Sequence, residues 1–206
     1  MNIAVLGTGM VGQAIASRLV ALGHQVTMGA RRPDNPQARA WAERAGERAR
    51  AGTFAEAAAS GALVFNCTHG ASSVEALRAA GDDQLAGKII VDVANVLPPD
   101  PTRTESLGEE IQRAFPRARV VKSLNTMNCQ LMVNPGRLSG AHTVFMSGDD
   151  GAAKQEVRQL LETLGWQEII DLGGISTARA AESYLSLWLA LWKATGTADF
   201  NIKVVR

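Results

Sequence analysis

The chain has 206 residues, 46% of them hydrophobic and 20% charged, enough for one substantial core and too little for two independent ones. Its 21 basic and 20 acidic residues leave a formal charge of +1, so it lacks the basic excess with which nucleic-acid binders displace counterions from phosphates. The two cysteines, Cys67 and Cys129, form no CxxC pair and no cluster with histidine, which sets aside disulfide scaffolds and metal sites and points to a reducing cytoplasm.

Residues 1–6 run directly into a glycine loop, without the basic segment and long apolar core of a signal peptide, so export is not expected. Residues 3–6 are predicted as the first strand. Gly7-Thr8-Gly9-Met10-Val11-Gly12 then forms a GxGxxG between that strand and a helical run at 13–22. At a first strand-to-helix turn each glycine has a purpose. Gly7 allows the tight turn, Gly9 lets the backbone approach a pyrophosphate, and Gly12 lets helix and strand pack closely. The helix start then offers free N–H groups and the positive dipole end to the phosphates. A dinucleotide is expected on this loop.

The second strand, 25–28, leads into Met28-Gly29-Ala30-Arg31-Arg32-Pro33-Asp34. An NAD site usually offers Asp or Glu here to the ribose 2′-hydroxyl. Two arginines suit a 2′-phosphate instead, through charge-assisted and bidentate hydrogen bonds, so NADP(H) is expected. A weaker strand follows at 50–52. Thr53 with Glu56, and Ser72 with Glu75, fit the Ser/Thr-x-x-Glu capping box.

Further strands are predicted at 63–66, 88–93 and 119–122, and short runs at 143–146 and 168–171 extend the sheet on one side. Pro98, Pro99 and Pro101 break regular structure in a loop at 94–104. Val157, Leu160, Leu161 and Leu164 mark one face of a helix at 152–164, closed by Gly165. This alternation predicts an α/β chain: a Rossmann-type, doubly wound, mostly parallel sheet with a small C-terminal helical portion. The expected division is 1–124 for the dinucleotide domain and 125–206 for that portion.

The last helix, 177–195, carries Tyr184, Leu185, Leu187, Trp188, Leu189, Leu191 and Trp192 on nearly every face. Such a helix is expected to be buried: under the rest of the chain, in a wall of the active site, or against another copy. Its apolar stretch, 184–192, falls far short of the ~20 residues of a membrane span.

Ligands of such sheets bind beyond the carboxyl ends of the strands. The residues there are Cys67-Thr68-His69-Gly70, Ala94-Asn95-Val96 and Ser123-Leu124-Asn125-Thr126-Met127. None forms a set of nucleophile, base and orienting group. His69 is a candidate general acid or a wall of the nicotinamide pocket, and Cys67 reads as a small core residue. His24 and His142 read as structural, and Lys122 as a surface or ion-paired residue, with a proton donor as the lesser alternative. Reducing a carbonyl or imine needs a proton donor, whereas transfer between two bound ring cofactors rests on alignment and burial, so the second fits better.

The segments NIAVLGTGMVGQAIASRLVALGHQV, MGARRP, KSLNTMN and VFMSGDD, with the tail from GGISTARAAES to FNIKVV, resemble the NADPH-dependent F420 reductases nearly end to end. The resemblance implies a homodimer holding NADP and a deazaflavin face to face, with hydride passing directly between the rings. It implies the pyrophosphate on Gly7, Thr8, Gly9, Met10, Val11 and Gly12, and the 2′-phosphate on Ala30, Arg31 and Arg32. The nicotinamide half would lie along Cys67, Thr68, His69, Ala94 and Asn95, and Asn125, Thr126 and Met127 would line the space where the rings meet. Asn125, Thr126 and His69 are the candidates for a catalytic role.

Deazaflavin-using members often carry His where this chain has Asn125. The similar cytoplasmic domains of six-transmembrane ferric reductases, which use flavin, carry Asn. An NADPH-dependent flavin or ferric reductase therefore stands as an alternative. So does a non-catalytic NADP(H) sensor with the last helix as its partner surface.

Overall fold

Four-residue runs such as Leu63–Asn66 and Ile89–Asp92 are buried at every position, as strands covered on both faces must be. The computed structural model describes residues 1–100 and 102–205, so Pro101 of the expected proline loop lies outside the described residues. The strands are β1 (Asn2–Leu6), β2 (Gln25–Ala30), β3 (Ala49–Thr53), β4 (Leu63–Asn66), β5 (Ile89–Asp92), β6 (Arg119–Ser123), β7 (Thr143–Ser147) and β8 (Glu168–Asp171). They form one sheet in the order β3-β2-β1-β4-β5-β6-β7-β8. All neighbours run parallel except β6 and β7, where Lys122 faces Ser147 in antiparallel register.

The helices are α1 (Met10–Ala21), α2 (Pro36–Ala45), α3 (Phe54–Ser60), α4 (Ser73–Ala80), α5 (Asp82–Leu85), α6 (Leu107–Ala114), α7 (Cys129–Val133), α8 (Gly151–Leu164) and α9 (Ala178–Thr195). Residues of α1, α2, α7 and α8 pack into the core on one face of the sheet. Those of α3, α4, α5, α6 and the start of α9 pack into the other. This is the doubly wound arrangement of a Rossmann-type fold.

Local chemistry sets the helix starts. Thr53 and Glu56 form a complete capping box: the Glu56 N–H donates to Thr53 Oγ1 at 3.2 Å and the Thr53 N–H to Glu56 Oε2 at 2.7 Å. The box expected at Ser72 and Glu75 is not formed. Ser72 ends a 3-10 turn at φ −114° and ψ 5°, away from the extended backbone of a cap, and its side chain makes no capping hydrogen bond. A box of the same spacing, passed over in the sequence, forms at Ser106 and Glu109.

Of the covers expected for the last helix, the rest of the chain supplies one chiefly at its start. In α9 only Ala178, Ala181 and Leu185 are buried, all in its first half, while Leu187 and Trp192 are 54% and 46% exposed. The helix docks its start on α6, and beyond Leu185 the main cover is the returning tail, where Phe200 stacks on Trp188 at 5.6 Å. The tail is fixed farther along by the Thr143 N–H, which donates to the Ile202 carbonyl at 2.9 Å, and by an ion pair of Arg137 with Asp199 at 3.0 Å. Among the described residues no helix is long and apolar enough to cross a membrane.

Candidate functional site

The β1–α1 turn is fixed by steric exclusion. Gly7 takes φ +119°, and a Cβ there would strike the Cys67 carbonyl; a Cβ on Gly12 would strike the Gly7 carbonyl. At Gly9 a Cβ would meet nothing within 4 Å, so the backbone of the turn is open to approach on its outer face. Helix α1 begins without a side-chain cap and without an acid in its first turn. Its unpaired N–H groups and dipole therefore suit an anion. Thr8 braces the turn by donating to Gln37 Oε1 at 3.0 Å, while Met10 is 82% exposed and Val11 is half-buried.

Where β2 ends, Ala30 is buried and Arg31 and Arg32 are exposed. Arg32 Nε and Nη2 donate to Asp34 Oδ1 and Oδ2, each at 3.0 Å, and this guanidinium holds the Asp34 carboxyl below its ordinary range. Such an exposed pair is weak and exchangeable. Arg31 makes no ion pair or side-chain hydrogen bond among the described residues.

The carboxyl ends of β4, β5 and β6 are joined by a buried polar network. Asn66 Nδ2 donates to Asp92 Oδ1 at 2.8 Å, and Thr68 Oγ1 donates to Asn66 Oδ1 at 2.7 Å. Lys122 Nζ, 1% exposed, donates to Asp92 Oδ2 at 2.8 Å and lies 3.0 Å from Glu182 Oε1. The Glu182 carboxylate also accepts the N–H groups of Leu107 and Gly108 at 2.8 and 3.1 Å, which caps α6 and ties α9 to it. Burial opposes the charge on Lys122, but Asp92 and Glu182 outweigh it and hold its pKa above the ordinary value. Burial pushes Asp92 up against the pull of the Lys122 ammonium. The donors converging on its carboxylate, from Asn66, the Ala94 N–H and Lys122, mark the ionised form. Lys122 is thus ion-paired, as one of its expected roles, but it is not on the surface.

A second clasp joins the strand ends to α9. Asn95 Nδ2 donates to the Asn125 carbonyl at 2.7 Å, and Asn125 Nδ2 donates to Asn95 Oδ1 at 3.1 Å and to the Ala181 carbonyl at 3.2 Å. Leu124, just before it, takes φ +63°, a conformation that non-glycine residues seldom adopt. Thr126 is 3% exposed and its hydroxyl is buried without a partner, an omission that native interiors rarely leave. Met127 packs into the core.

On the β4 side, a Cβ on Gly70 would strike the Asn95 carbonyl, so this glycine lets the two strand-end loops touch. His69 is exposed at the start of the turn. Burial and the nearby Asp92 charge push the Cys67 thiol up, which leaves it a packing residue and not a thiolate nucleophile. His142 lies between the Pro135 carbonyl and Asn201, a structural position. A cavity of about 260 Å³ opens between the 95–106 segment and α9, with Asn95, Ser106, Glu182 and Leu185 in its wall. Among the described residues no three His, Cys, Asp or Glu side chains gather as metal ligands.

The structure therefore brings Asn95, Asn125 and Thr126 together beside α9, and sets the glycine turn and the arginine pair at neighbouring strand ends. Sequence reasoning missed Asp92, Asn66 and Glu182. The first had a signal: an acid closing IIVD, with a lysine of opposite charge inside the apolar run VVKS. Glu182, on a helix that reads as apolar, had none.

A glycine turn of this geometry on a doubly wound sheet is that of a dinucleotide-binding, Rossmann-type protein. Residues 2–96 match the family model described as NADP oxidoreductase, coenzyme F420-dependent. Over 99% of both chains the protein is 52% identical to a candidate F420-dependent NADP-reductase from Arthrobacter sp. FB24, whose crystal structure superposes with a TM-score of 0.93. It is 30% identical over 198 residues to metalloreductase STEAP3 of Rattus norvegicus, covering 93% of this chain but 38% of that protein. The imine reductase of Streptomyces aurantiacus, at 20% identity and a TM-score of 0.70 over 95% of this chain and 63% of that one, shares the fold. The chain belongs to the F420-dependent NADP oxidoreductase family and is an NADP-dependent oxidoreductase.

Proposed function

We propose that the chain passes hydride between NADPH and the deazaflavin coenzyme F420, as a homodimer in a reducing, cytoplasmic compartment. The observation that carries this reading is the cavity against Asn95 and α9, beside strand ends whose Lys122 and Asp92 are buried and paired with each other, Lys122 also with Glu182. NADPH would supply the hydride to a carbon of the deazaflavin ring and solvent the proton that the ring nitrogen takes up, so the protein has mainly to align the two rings. Each residue's task follows from its place.

The Gly7–Gly12 turn and the first N–H groups of α1 hold the pyrophosphate. Ala30 ends the strand, Arg31 meets the 2′-phosphate with an unengaged guanidinium, and Arg32 exchanges Asp34 for it. Cys67, Thr68, His69 and Ala94 border the nicotinamide half. Asn95 and Asn125, locked to each other, keep the ends of β5 and β6 at a fixed separation, and Thr126, whose buried hydroxyl has no partner, stands next to that clasp. Met127 supports this wall from the core. Residues 125–206 complete the acceptor side, and the apolar end of α9, with Leu187 and Trp192 exposed, meets a second copy.

A flavin acceptor is the second reading, supported by Asn125 and by the similarity to a metalloreductase. The test is to load the protein with NADPH and follow its oxidation on adding F420 or, separately, FMN and FAD. Rapid transfer to F420 alone supports the proposal. Transfer to flavins alone supports the second reading, and none with any acceptor overturns both in favour of a sensor.

A further inference from the structure

The cavity beside α9 is lined from the helix by Arg179, Glu182, Ser183 and Ser186, spaced i, i+3, i+4 and i+7, so a helix that reads as apolar presents a polar stripe there. Its acidic groups are engaged. Glu182 holds Lys122 and two N–H groups of α6. Glu105 takes a bidentate grip from Arg113 at 3.0 and 2.9 Å, and Asp100 Oδ1 accepts from the Thr102 N–H and hydroxyl at 2.9 and 2.6 Å. Of the two cations, Arg103 is held by Glu110 at 2.8 Å and by the Glu105 carbonyl at 3.3 Å.

Arg179 differs. Its guanidinium is exposed on the cavity wall and makes no ion pair or side-chain hydrogen bond among the described residues. It also stands in the first turn of α9, where a cation opposes the helix dipole and no acid shares the turn. A planar, unpaired guanidinium beside a ring-sized cavity is suited to grip a phosphoester oxygen pair.

We propose that Arg179 anchors the anionic tail of the acceptor, so that the cavity selects ring acceptors carrying a phosphoester over the same rings without one. This rests on the acceptor being a ring cofactor seated against Asn95. The chemistry is shared by the phosphodiester tail of F420 and the phosphate of FMN, and paired probes separate them: F420 against FO, the deazaflavin without the tail, and FMN against riboflavin.

Affinities are measured by fluorescence titration of the full chain saturated with NADP⁺, where no turnover occurs. The wild type is expected to bind the tailed member of at least one pair about tenfold more tightly. Arg179→Ala is expected to remove that preference by weakening the tailed ligand, Arg179→Lys to restore part of it, and added salt to erode it in the wild type. Equal affinity for both members of each pair in the wild type, or a preference unchanged in Arg179→Ala, overturns the proposal. A preference that depends on Arg179 in a protein that transfers no hydride leaves the anchor standing and refutes the proposed reaction, so the two failures are told apart.

Discussion

The glycine turn and the α9 cavity lie at the same end of one sheet and are built by opposite means. The turn is held by exclusion: Gly7 and Gly12 sit where any side chain would strike a backbone carbonyl. The cavity is held by charge, since α9 reaches the sheet through Glu182, Lys122 and Asp92 and through the Asn125 amide. Steric fixing yields one geometry under all conditions. Electrostatic fixing depends on every partner being present and ionised. The glycine turn is therefore preformed and the α9 cavity conditional.

The largest way to break this contrast is Lys122→Met, which strands the Asp92 and Glu182 carboxylates together. A loss of about 3–5 kcal/mol is expected in urea unfolding, and adding Asp92→Asn to it should recover part of the loss, since the two effects are coupled. Asp92 and Glu182 hold the Lys122 pKa above its ordinary 10.5. Its contribution is thus complete below that value and lost as pH rises through the folded pKa. Melting temperatures above pH 10 should fall more steeply in the wild type than in Lys122→Met.

Gly12→Ala probes the opposite side. Crowding against Gly7 is expected to lower stability by about 1–3 kcal/mol and to abolish NADPH binding in calorimetry while the chain stays folded. A smaller effect is expected of Arg31→Ala with Arg32→Ala: NADPH affinity falls about 10–100-fold and NADH affinity hardly changes. Equal weakening of both nucleotides would remove the 2′-phosphate assignment. The smallest is Thr53→Ala, which opens the α3 capping box for about 1 kcal/mol and leaves both ligand sites as they were.

The same contrast explains what was legible in the sequence. Glycine spacing and the alternation of short apolar runs with helices are local signals, and they placed the turn, the sheet and the arginine pair. The clasp around Asn125 joins residues far apart in the chain, with Asn95 30 positions away and Ala181 56, and no local pattern announces such partners. Ser72 shows the opposite error: its spacing to Glu75 fits a cap, but the 3-10 turn before it withholds the required backbone. For α9, hydrophobicity reports that a face needs cover and not whether the same chain supplies it.

The two outermost strands bear on how the molecule behaves in a crowded solution. β8 brackets Ile169 and Ile170 with Glu168 and Asp171, the latter held 2.8 Å from Lys154, and β3 carries an exposed Arg50. Short edges bearing charge resist the addition of a foreign strand. The chain can therefore display an uncovered apolar helix end without also offering a template from which a sheet could grow into a fibre.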